Sequence, residues 1–240
     1  MTEDTTRLNK FLAHCGIASR RACAELIKQG YVKVDGEVVV DIGYRLGPKQ
    51  VVTFKGKVVT PEEKKVYLLL NKPKNTMTTV QDEKGRKTVM DLIPDRIDAR
   101  IYPVGRLDRD TTGLLLLTND GDLARKLSHP SFKIKKVYNV SLDKALTKRD
   151  LTQVKDGVPL EDGIAEVDWV DFPDQNNPTE VNLEIHIGKN RIIRRIFEHL
   201  GYQVKRLDRV YYAGLTKKDL PRGKWRHLTK QEIIMLKHFV

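Results

Sequence analysis

Apolar residues recur at helical spacing near the start of the chain and then give way to strand-like alternation. Leu8, Phe11 and Leu12 predict a short helix, and Ser19 is placed to cap a second one. The segment YVKVDGEVVV has two alternating runs on either side of Asp35–Gly36, and this pattern predicts a β-hairpin. The first part of the chain is therefore predicted to form two helices followed by a small antiparallel sheet.

From Val66 onward, buried strands alternate with short helices. The continuous apolar runs VYLLLN and GLLLLT predict buried strands, and Asp120 can cap a helix through LARKLS. Further strands are predicted at Lys133–Leu142 and Glu180–Ile187, and the most regular helical pattern spans Asn190–Leu200.

This order of elements predicts an α+β fold with two domains. We expect a small N-terminal helix–helix–hairpin module at residues 1–62. A charged linker begins near Pro61, because a proline followed by a charge cluster does not suit a core. The second domain, at residues 66–240, is expected to be a mixed, largely antiparallel β-sheet with flanking helices.

Charge is distributed unevenly over this pattern. The formal net charge is +12 at pH 7. Residues 140–185 carry a net charge of −7, whereas residues 186–240 carry +10. A basic protein of this kind favours a polyanionic partner, nucleic acid first and an anionic membrane surface second. We expect one face to turn toward that partner and an acidic face to turn away.

Several classes of protein and site are disfavoured by the sequence. There is no apolar run long enough for a transmembrane helix, and the start MTEDTTRLNK lacks the apolar core of a secretory signal. Two cysteines cannot make a disulfide framework, so a cytoplasmic setting is expected. Neither a glycine-rich nucleotide loop nor a zinc-type cluster of His and Cys is present, so we expect no cofactor and no metal.

The first candidate site is a group of polar and basic residues around the two N-terminal helices. Closely spaced bases on a small helical surface suit phosphate contacts on folded RNA, although a solvated helix face would show the same pattern. The candidates are Arg7, Lys10, Ser19, Arg20 and Arg21.

The second candidate is the segment VGRLDRDTTGLLLLTNDG, which presents Asp108 between Arg106 and Arg109 just before a buried strand. A carboxylate held at a strand edge can act as a nucleophile or base when nearby cations keep it ionised. The residues by themselves are equally compatible with a loop ion pair.

The third candidate is the helical segment GKNRIIRRIFEHLGYQV. On a helix its isoleucines and Phe197 share one face, and Arg191, Arg194 and Arg195 lie on the other. This pattern is also that of an ordinary amphipathic surface helix.

Two family resemblances change the balance between these alternatives. The segment RLNKFLAHCGIASRRACAELIKQGYVKVDGEVV resembles the small RNA-binding module named after ribosomal protein S4. The segment with G-R-L-D resembles the catalytic motif of pseudouridine synthases, in which the aspartate is essential, and Asp108 matches it.

Other motifs follow in the order of that family. The resemblance implies that Arg194 pairs with Asp108 and that Tyr138, in KKVYNV, packs against the uracil ring. Ile192 stands where the family usually has glutamine. The segments YLLLNKPKNTMTTVQDEKGRKTVMDLI and LPRGKWRHLT also match, so the chain resembles the RsuA/RluB group, whose members carry the N-terminal module.

The resemblance implies isomerisation of uridine to pseudouridine in ribosomal RNA, with no cofactor. The segment LPRGKWRHLT resembles the branch that acts on large-subunit rRNA more than the small-subunit branch, which favours large-subunit rRNA as the substrate. Arg106, Arg191 and Arg195 are further RNA-binding candidates, the partner is rRNA or a pre-ribosomal particle, and we expect a monomer. Two alternatives stay open: a non-catalytic rRNA-binding or ribosome-assembly factor, and a synthase acting on transfer RNA.

Overall fold

The computed structural model describes residues 5–94, 97 and 99–238, and the chain divides into two compact units between Lys65 and Val66. The described residues form six α-helices and seventeen β-strands. The helices are α1 (Leu8–His14), α2 (Arg20–Lys28), α3 (Gly121–Ser128), α4 (Lys148–Asp156), α5 (Ile192–His199) and α6 (Lys230–His238).

All strands of the first unit are short, and the longer strands belong to the second unit. Those of the first unit are β1 (Thr6–Arg7), β2 (Val32–Val34), β3 (Glu37–Val38), β4 (Arg45–Leu46), β5 (Val52–Phe54) and β6 (Lys57–Val58). Those of the second unit are β7 (Tyr67–Lys72), β8 (Tyr102–Pro103), β9 (Thr112–Thr118), β10 (Lys136–Leu142), β11 (Val158–Leu160), β12 (Gly163–Ala165), β13 (Trp169–Asp171), β14 (Glu180–Ile185), β15 (Val204–Tyr212), β16 (Leu215–Thr216) and β17 (Trp225–His227).

The first unit contains the predicted helices and hairpin. The Ser19 hydroxyl accepts a hydrogen bond from the backbone N–H of Ala22 at 3.2 Å, which caps α2. Asp35 and Gly36 both have positive φ, as a two-residue turn between β2 and β3 requires. The strand order β3-β2-β5-β6 forms an antiparallel sheet against the two helices.

The second unit is built on a nine-stranded sheet. Its main order is β13-β14-β10-β15-β9-β7-β17, with β16 on β15 and β8 on β9. Every neighbouring pair is antiparallel except β9 and β15, which run parallel. The predicted fold class, a helix–helix–hairpin module followed by a mixed, largely antiparallel sheet with helices, is confirmed.

Strands β7 and β9 are covered on both faces. Leu68 and Leu115 belong to the larger core, which includes α5, whereas Leu69 and Leu116 belong to a second core that includes α3 and α6. Burial on both faces explains why these strands are continuous apolar runs without alternation.

The described elements differ from the sequence prediction in some places. Helix α5 begins at Ile192, two residues later than the helix predicted from Asn190, because Arg191 adopts a left-handed conformation with φ of 47°. Helices α4 and α6 and strand β15 are among the elements that were not predicted from the sequence. Within the described part of the chain, each helix is too short or too polar to cross a lipid bilayer.

Candidate functional site

Asp108 lies in the loop that connects β8 to β9, and a buried lysine fixes the backbone of this loop. Lys72, at the end of β7, is fully buried. Its ammonium donates to the carbonyl oxygens of Pro73 at 3.1 Å, Asp108 at 3.1 Å, Arg109 at 3.2 Å and Thr111 at 2.8 Å. The Lys72 ammonium therefore binds several carbonyl groups of the loop, and the Asp108 side chain takes no part in these hydrogen bonds.

The residue before Asp108 is held by a second contact. The Thr78 hydroxyl donates to the Leu107 carbonyl at 2.7 Å, and the Leu107 N–H lies 3.3 Å from the same hydroxyl oxygen. The Thr111 N–H closes the loop by donating to the Asp108 carbonyl at 3.1 Å. Asp108 is thus presented from a backbone fixed on both sides, as a reacting group requires.

The Asp108 side chain opens on a cavity of 290 Å³, which we call the Asp108 cavity. Tyr138, from the centre of β10, is largely buried and reaches the same cavity. The other side chains that give it an apolar wall are Leu107, Ile192, Ile193 and Leu207. A small apolar slot with a carboxylate at its edge suits a flat, uncharged heterocycle whose attached group must meet the carboxylate.

Among the basic residues that line this cavity, which include Arg106 and Lys189, Arg191 forms an ion pair with Asp108. Its guanidinium lies 3.9 Å from the Asp108 carboxylate, and the loop 188–191 lines the wall opposite Asp108. The left-handed conformation of Arg191, just before α5, turns its side chain out of the helical repeat. The Asp108 carboxylate therefore has a guanidinium beside it in the cavity.

Arg194 differs from its expected place. It was predicted to pair with Asp108, but its guanidinium donates to the Val204 carbonyl at 2.8 Å, and the residue is 9% exposed. Since α5 packs this part of its surface against β15, Arg194 lies among the apolar positions of the helix and not on its exposed face. The structure brings Asp108 together with Tyr138 and Arg191, and it places Arg194 behind them.

A second cavity adjoins Asp108 on its other side. It measures 510 Å³ and shares Arg106, Leu107 and Asp108 with the Asp108 cavity. Its remaining wall is mostly polar and comes from the segment 77–86, which the Asp82 carboxylate organises by accepting bonds from the backbone and guanidinium of Arg86. A polar groove beside an apolar slot is the arrangement expected where a nucleic-acid chain continues past one inserted base.

The charge of Lys72 is sensitive to its surroundings. Burial lowers its pKa to about 8, while the nearby carboxylates of Asp108 and Asp110 act in the opposite direction. The guanidinium of Arg222 also lowers the pKa and lies close, donating to the Lys72 carbonyl at 3.3 Å.

Arg222 joins the C-terminal part of the chain to this network. It donates to the Asn71 side chain at 2.6 Å and to both carboxylate oxygens of Asp208, at 2.9 and 3.0 Å. Burial raises the pKa of Asp208, but hydrogen bonds from Arg222, Lys217 and Thr112 outweigh it and hold that pKa below its usual value. Through Arg222, the segment LPRGKWRHLT thus contacts the end of β7, where Lys72 holds the Asp108 loop.

The remaining predicted site residues lie in several surroundings. In the first unit, Arg7, Ser19, Arg20 and Arg21 are exposed, Lys10 is half-buried, and the Ser19 oxygen is used as the helix cap. In the second unit, Arg106 is exposed at the junction of the two cavities. The Arg195 guanidinium, which was expected to contact RNA, is instead hydrogen-bonded to the Asp162 carboxylate at 2.5 and 3.1 Å.

Sequence reasoning missed Lys72, Arg222 and Asp162. A signal for Lys72 was present, since a lysine at the end of the apolar run VYLLLN must either leave the core or find several acceptors. No such signal marks Arg222 or Asp162, whose partners are distant along the chain.

Comparison with known proteins identifies the family of each domain. The model of the RNA pseudouridylate synthase family matches residues 66–199, and that of the S4 domain matches residues 6–52. The chain is 42% identical over 234 residues to ribosomal large subunit pseudouridine synthase B of Bacillus subtilis (strain 168), covering 96% of this chain and 95% of the relative. It is 34% identical over 238 residues to the dual-specificity RNA pseudouridine synthase RluF of Escherichia coli (strain K12), covering 98% and 80%.

A solved structure is also similar over nearly the whole length. A crystal structure of a pseudouridylate synthase superposes with a TM-score of 0.70 at 28% identity, covering 96% of this chain and 99% of the other. The chain belongs to the RNA pseudouridine synthase family, as a member of the RsuA/RluB group that carries an S4 domain before the synthase domain.

Proposed function

We propose that this enzyme converts a uridine of large-subunit ribosomal RNA to pseudouridine, with Asp108 as the essential residue and without a cofactor. Residues 1–62 act as the RNA-binding module and residues 66–240 as the catalytic domain. The observation that carries the proposal is the Asp108 cavity, where a carboxylate and a guanidinium 3.9 Å apart adjoin an apolar wall with Tyr138. The name of the Bacillus relative, 42% identical, supports large-subunit rRNA as the substrate.

The reaction is an isomerisation, so its atoms balance within the substrate. The bond from ribose C1′ to uracil N1 breaks, the base turns, and C1′ bonds to C5. The hydrogen on C5 leaves as a proton, and N1 gains a proton. No electrons or groups enter or leave, so the protein needs only to bind, orient and transfer protons.

Each part of the site has a role in this scheme. The target base must leave its stack, at a cost of a few kcal/mol, and the apolar wall of the Asp108 cavity receives it. Tyr138 packs against the freed ring and is placed to assist removal of the C5 proton. Asp108 acts on the sugar or the base, and the Arg191 guanidinium orients its carboxylate.

RNA is held mainly through basic groups. Arg106 borders both cavities, and Arg7, Lys10, Arg20 and Arg21 supply phosphate contacts in the N-terminal module. The protein acts as a monomer in the cytoplasm on rRNA or a pre-ribosomal particle.

The function is tested by mapping pseudouridines in the rRNAs of a strain that lacks this protein. We expect one large-subunit site to disappear and to return with the wild-type gene, but not with Asp108→Asn. Loss of a site in transfer RNA instead would overturn the substrate assignment. Unchanged rRNA and tRNA maps would favour a non-catalytic RNA-binding protein.

Substitution distinguishes Arg191, which precedes α5, from Arg194, which lies within it. Arg191→Met removes the charge that faces Asp108 and should lower kcat about 10- to 100-fold, with the melting temperature nearly unchanged. Arg194→Met removes the bond to Val204 and should mainly lower stability. Tritium release from RNA labelled at uracil C5, together with thermal melts, measures both. The opposite result, with kcat lost only in a stable Arg194→Met, would restore Arg194 as the partner of Asp108.

A further inference from the structure

The turn of the β11–β12 hairpin makes three hydrogen bonds and one longer ion pair with the basic segment around Arg191. The Asp162 carboxylate accepts two bonds from the Arg195 guanidinium, at 2.5 and 3.1 Å. The Asp162 carbonyl accepts a bond from the Lys189 ammonium at 2.6 Å, and that ammonium also lies 3.7 Å from the carboxylate. Asp162 therefore binds one cation on each side of Arg191.

The hairpin is a fixed support for these contacts. Val158 and Ala165, which pair across its two strands, are fully buried in the larger core. Strand β11 packs against α5, and the turn, Glu161–Asp162, extends beyond it toward Arg195. Asp162 is thus attached to the core of the domain through both strands of the hairpin.

The segment that Asp162 holds needs outside support. Loop 188–191 lines the Asp108 cavity, and Arg191 carries a positive φ, which is strained for a non-glycine residue. Among the described residues, no side chain caps the N-terminus of α5. Arg195 also lies 3.5 Å from the Asn190 carbonyl, so the group that Asp162 fixes contacts the residue next to Arg191.

We propose that Asp162 is a positioning residue, which fixes loop 188–191 and thereby keeps the Arg191 guanidinium opposite Asp108. It also withholds Lys189 and Arg195 from RNA, since both cations are engaged by the same turn. The carboxylate remains ionised over the useful pH range, because Arg195 lowers the pKa of Asp162 to about 2. This inference rests on the proposed roles of Asp108 and Arg191.

The test compares Asp162→Asn with Glu161→Gln. Both remove one negative charge from the same turn, but among the described residues Glu161 forms no hydrogen bond or salt bridge and acts on Arg195 only through a weaker long-range attraction. We expect Asp162→Asn to lower kcat about tenfold, since a displacement near 1 Å at a reacting group is costly. RNA should bind as tightly as to wild type or more tightly, because the Arg195 guanidinium is released while Lys189 keeps its bond to the Asp162 carbonyl. Glu161→Gln should keep the wild-type kcat.

The measurements are tritium release from large-subunit rRNA transcribed with uridine labelled at C5, filter binding of the same RNA, and thermal melting. Asp162→Glu should restore most of kcat. Arg195→Gln removes the same contact from the other side, so its loss should match that of Asp162→Asn without adding to it in the double variant. If Asp162→Asn folds poorly, Arg195→Gln alone still tests this contact.

The possible failures are distinguishable. Equal kcat in Asp162→Asn and Glu161→Gln, or additive losses in the double variant, would overturn the positioning role. If Arg191→Met also kept its kcat, the proposed pairing of Arg191 with Asp108 would be wrong as well. If Asp108→Asn were fully active, the proposed catalytic site would itself be wrong.

Discussion

Asp108→Asn is expected to lower kcat by at least about 1,000-fold while RNA affinity stays within about threefold. Asparagine keeps the size of the side chain but removes its charge and its basicity. The loop should not move, because Lys72 binds backbone carbonyls of the loop and not the carboxylate. The cavity should therefore keep its shape and still receive the base.

The matched control is Asp110→Asn. Asp110 lies two residues away in the same loop, its side chain is 53% exposed, and it pairs with Arg109 at 3.3 Å. It should retain nearly full activity. Tritium release and filter binding on the same transcript separate chemistry from binding. An Asp108→Asn enzyme with more than a tenth of wild-type turnover would remove this carboxylate from the chemistry.

Lys72→Met is expected to lower kcat about 100-fold, although Lys72 reaches the cavity only through other residues. Methionine fills a similar volume without a donor, so the carbonyls of Pro73, Asp108, Arg109 and Thr111 lose their shared partner. The loop then no longer fixes the direction of the Asp108 side chain.

The control for this change is Lys74→Met, which removes an exposed lysine two residues along the chain. It should leave kcat unaltered. Amide hydrogen exchange should be faster at Thr111, whose N–H closes the loop on Asp108, only in Lys72→Met. Slow exchange together with normal kcat in Lys72→Met would show that the loop keeps its shape without the ammonium.

The lowered pKa of Lys72 adds a pH dependence to this prediction. Its proton leaves the folded protein at a pH of about 8 and leaves the unfolded chain near 10.5. A neutral amine has one donor fewer, so kcat should fall as pH rises through about 8, and Lys72→Met should lack this alkaline decrease. Lys136→Met is the control and should keep the alkaline decrease in kcat. Burial also lowers the pKa of Lys136 to about 8, so this variant separates the titration of Lys136 from that of Lys72.

Stability should change in the opposite direction over the same range. Between about pH 8 and 10.5 the unfolded chain binds more protons than the folded protein at Lys72, so this residue makes the free energy of unfolding rise with pH. Below pH 8 both states are protonated and its contribution is constant. Urea unfolding of wild type and Lys72→Met at pH 7 and 10 would show the difference.

The elements with clear periodicity could be predicted from the sequence, and those that depend on polar partners could not. Strands β7 and β9 were predicted because both faces are apolar. Strand β15 mixes charged and apolar residues without regular alternation, and its Arg209 is buried at 3% exposure with Nε donating to the Leu114 carbonyl. Such a strand reads as a surface segment until its acceptor, 95 residues away, is known.

The candidate site shows the same division. Motif resemblance selected Asp108 and Tyr138, and both line one cavity, while their chemical roles stay predictions. Helical spacing placed Arg191 and Arg194 on one face, because it assumes that the helix already includes Arg191. The left-handed conformation at Arg191 breaks that assumption and exchanges the positions of the two guanidinium groups.

The contact of Arg222 with Asn71 also sets the order in which the enzyme can be completed during synthesis. The two residues are 151 positions apart, so β7 and the Asp108 loop leave the ribosome long before Arg222 is made. At about 5–20 residues per second, this interval is on the order of ten seconds. During that time Asn71 lacks its guanidinium partner, whereas Asp208 is made only 14 residues before Arg222. The network that joins β7 to the C-terminal segment is therefore complete only after that segment has docked.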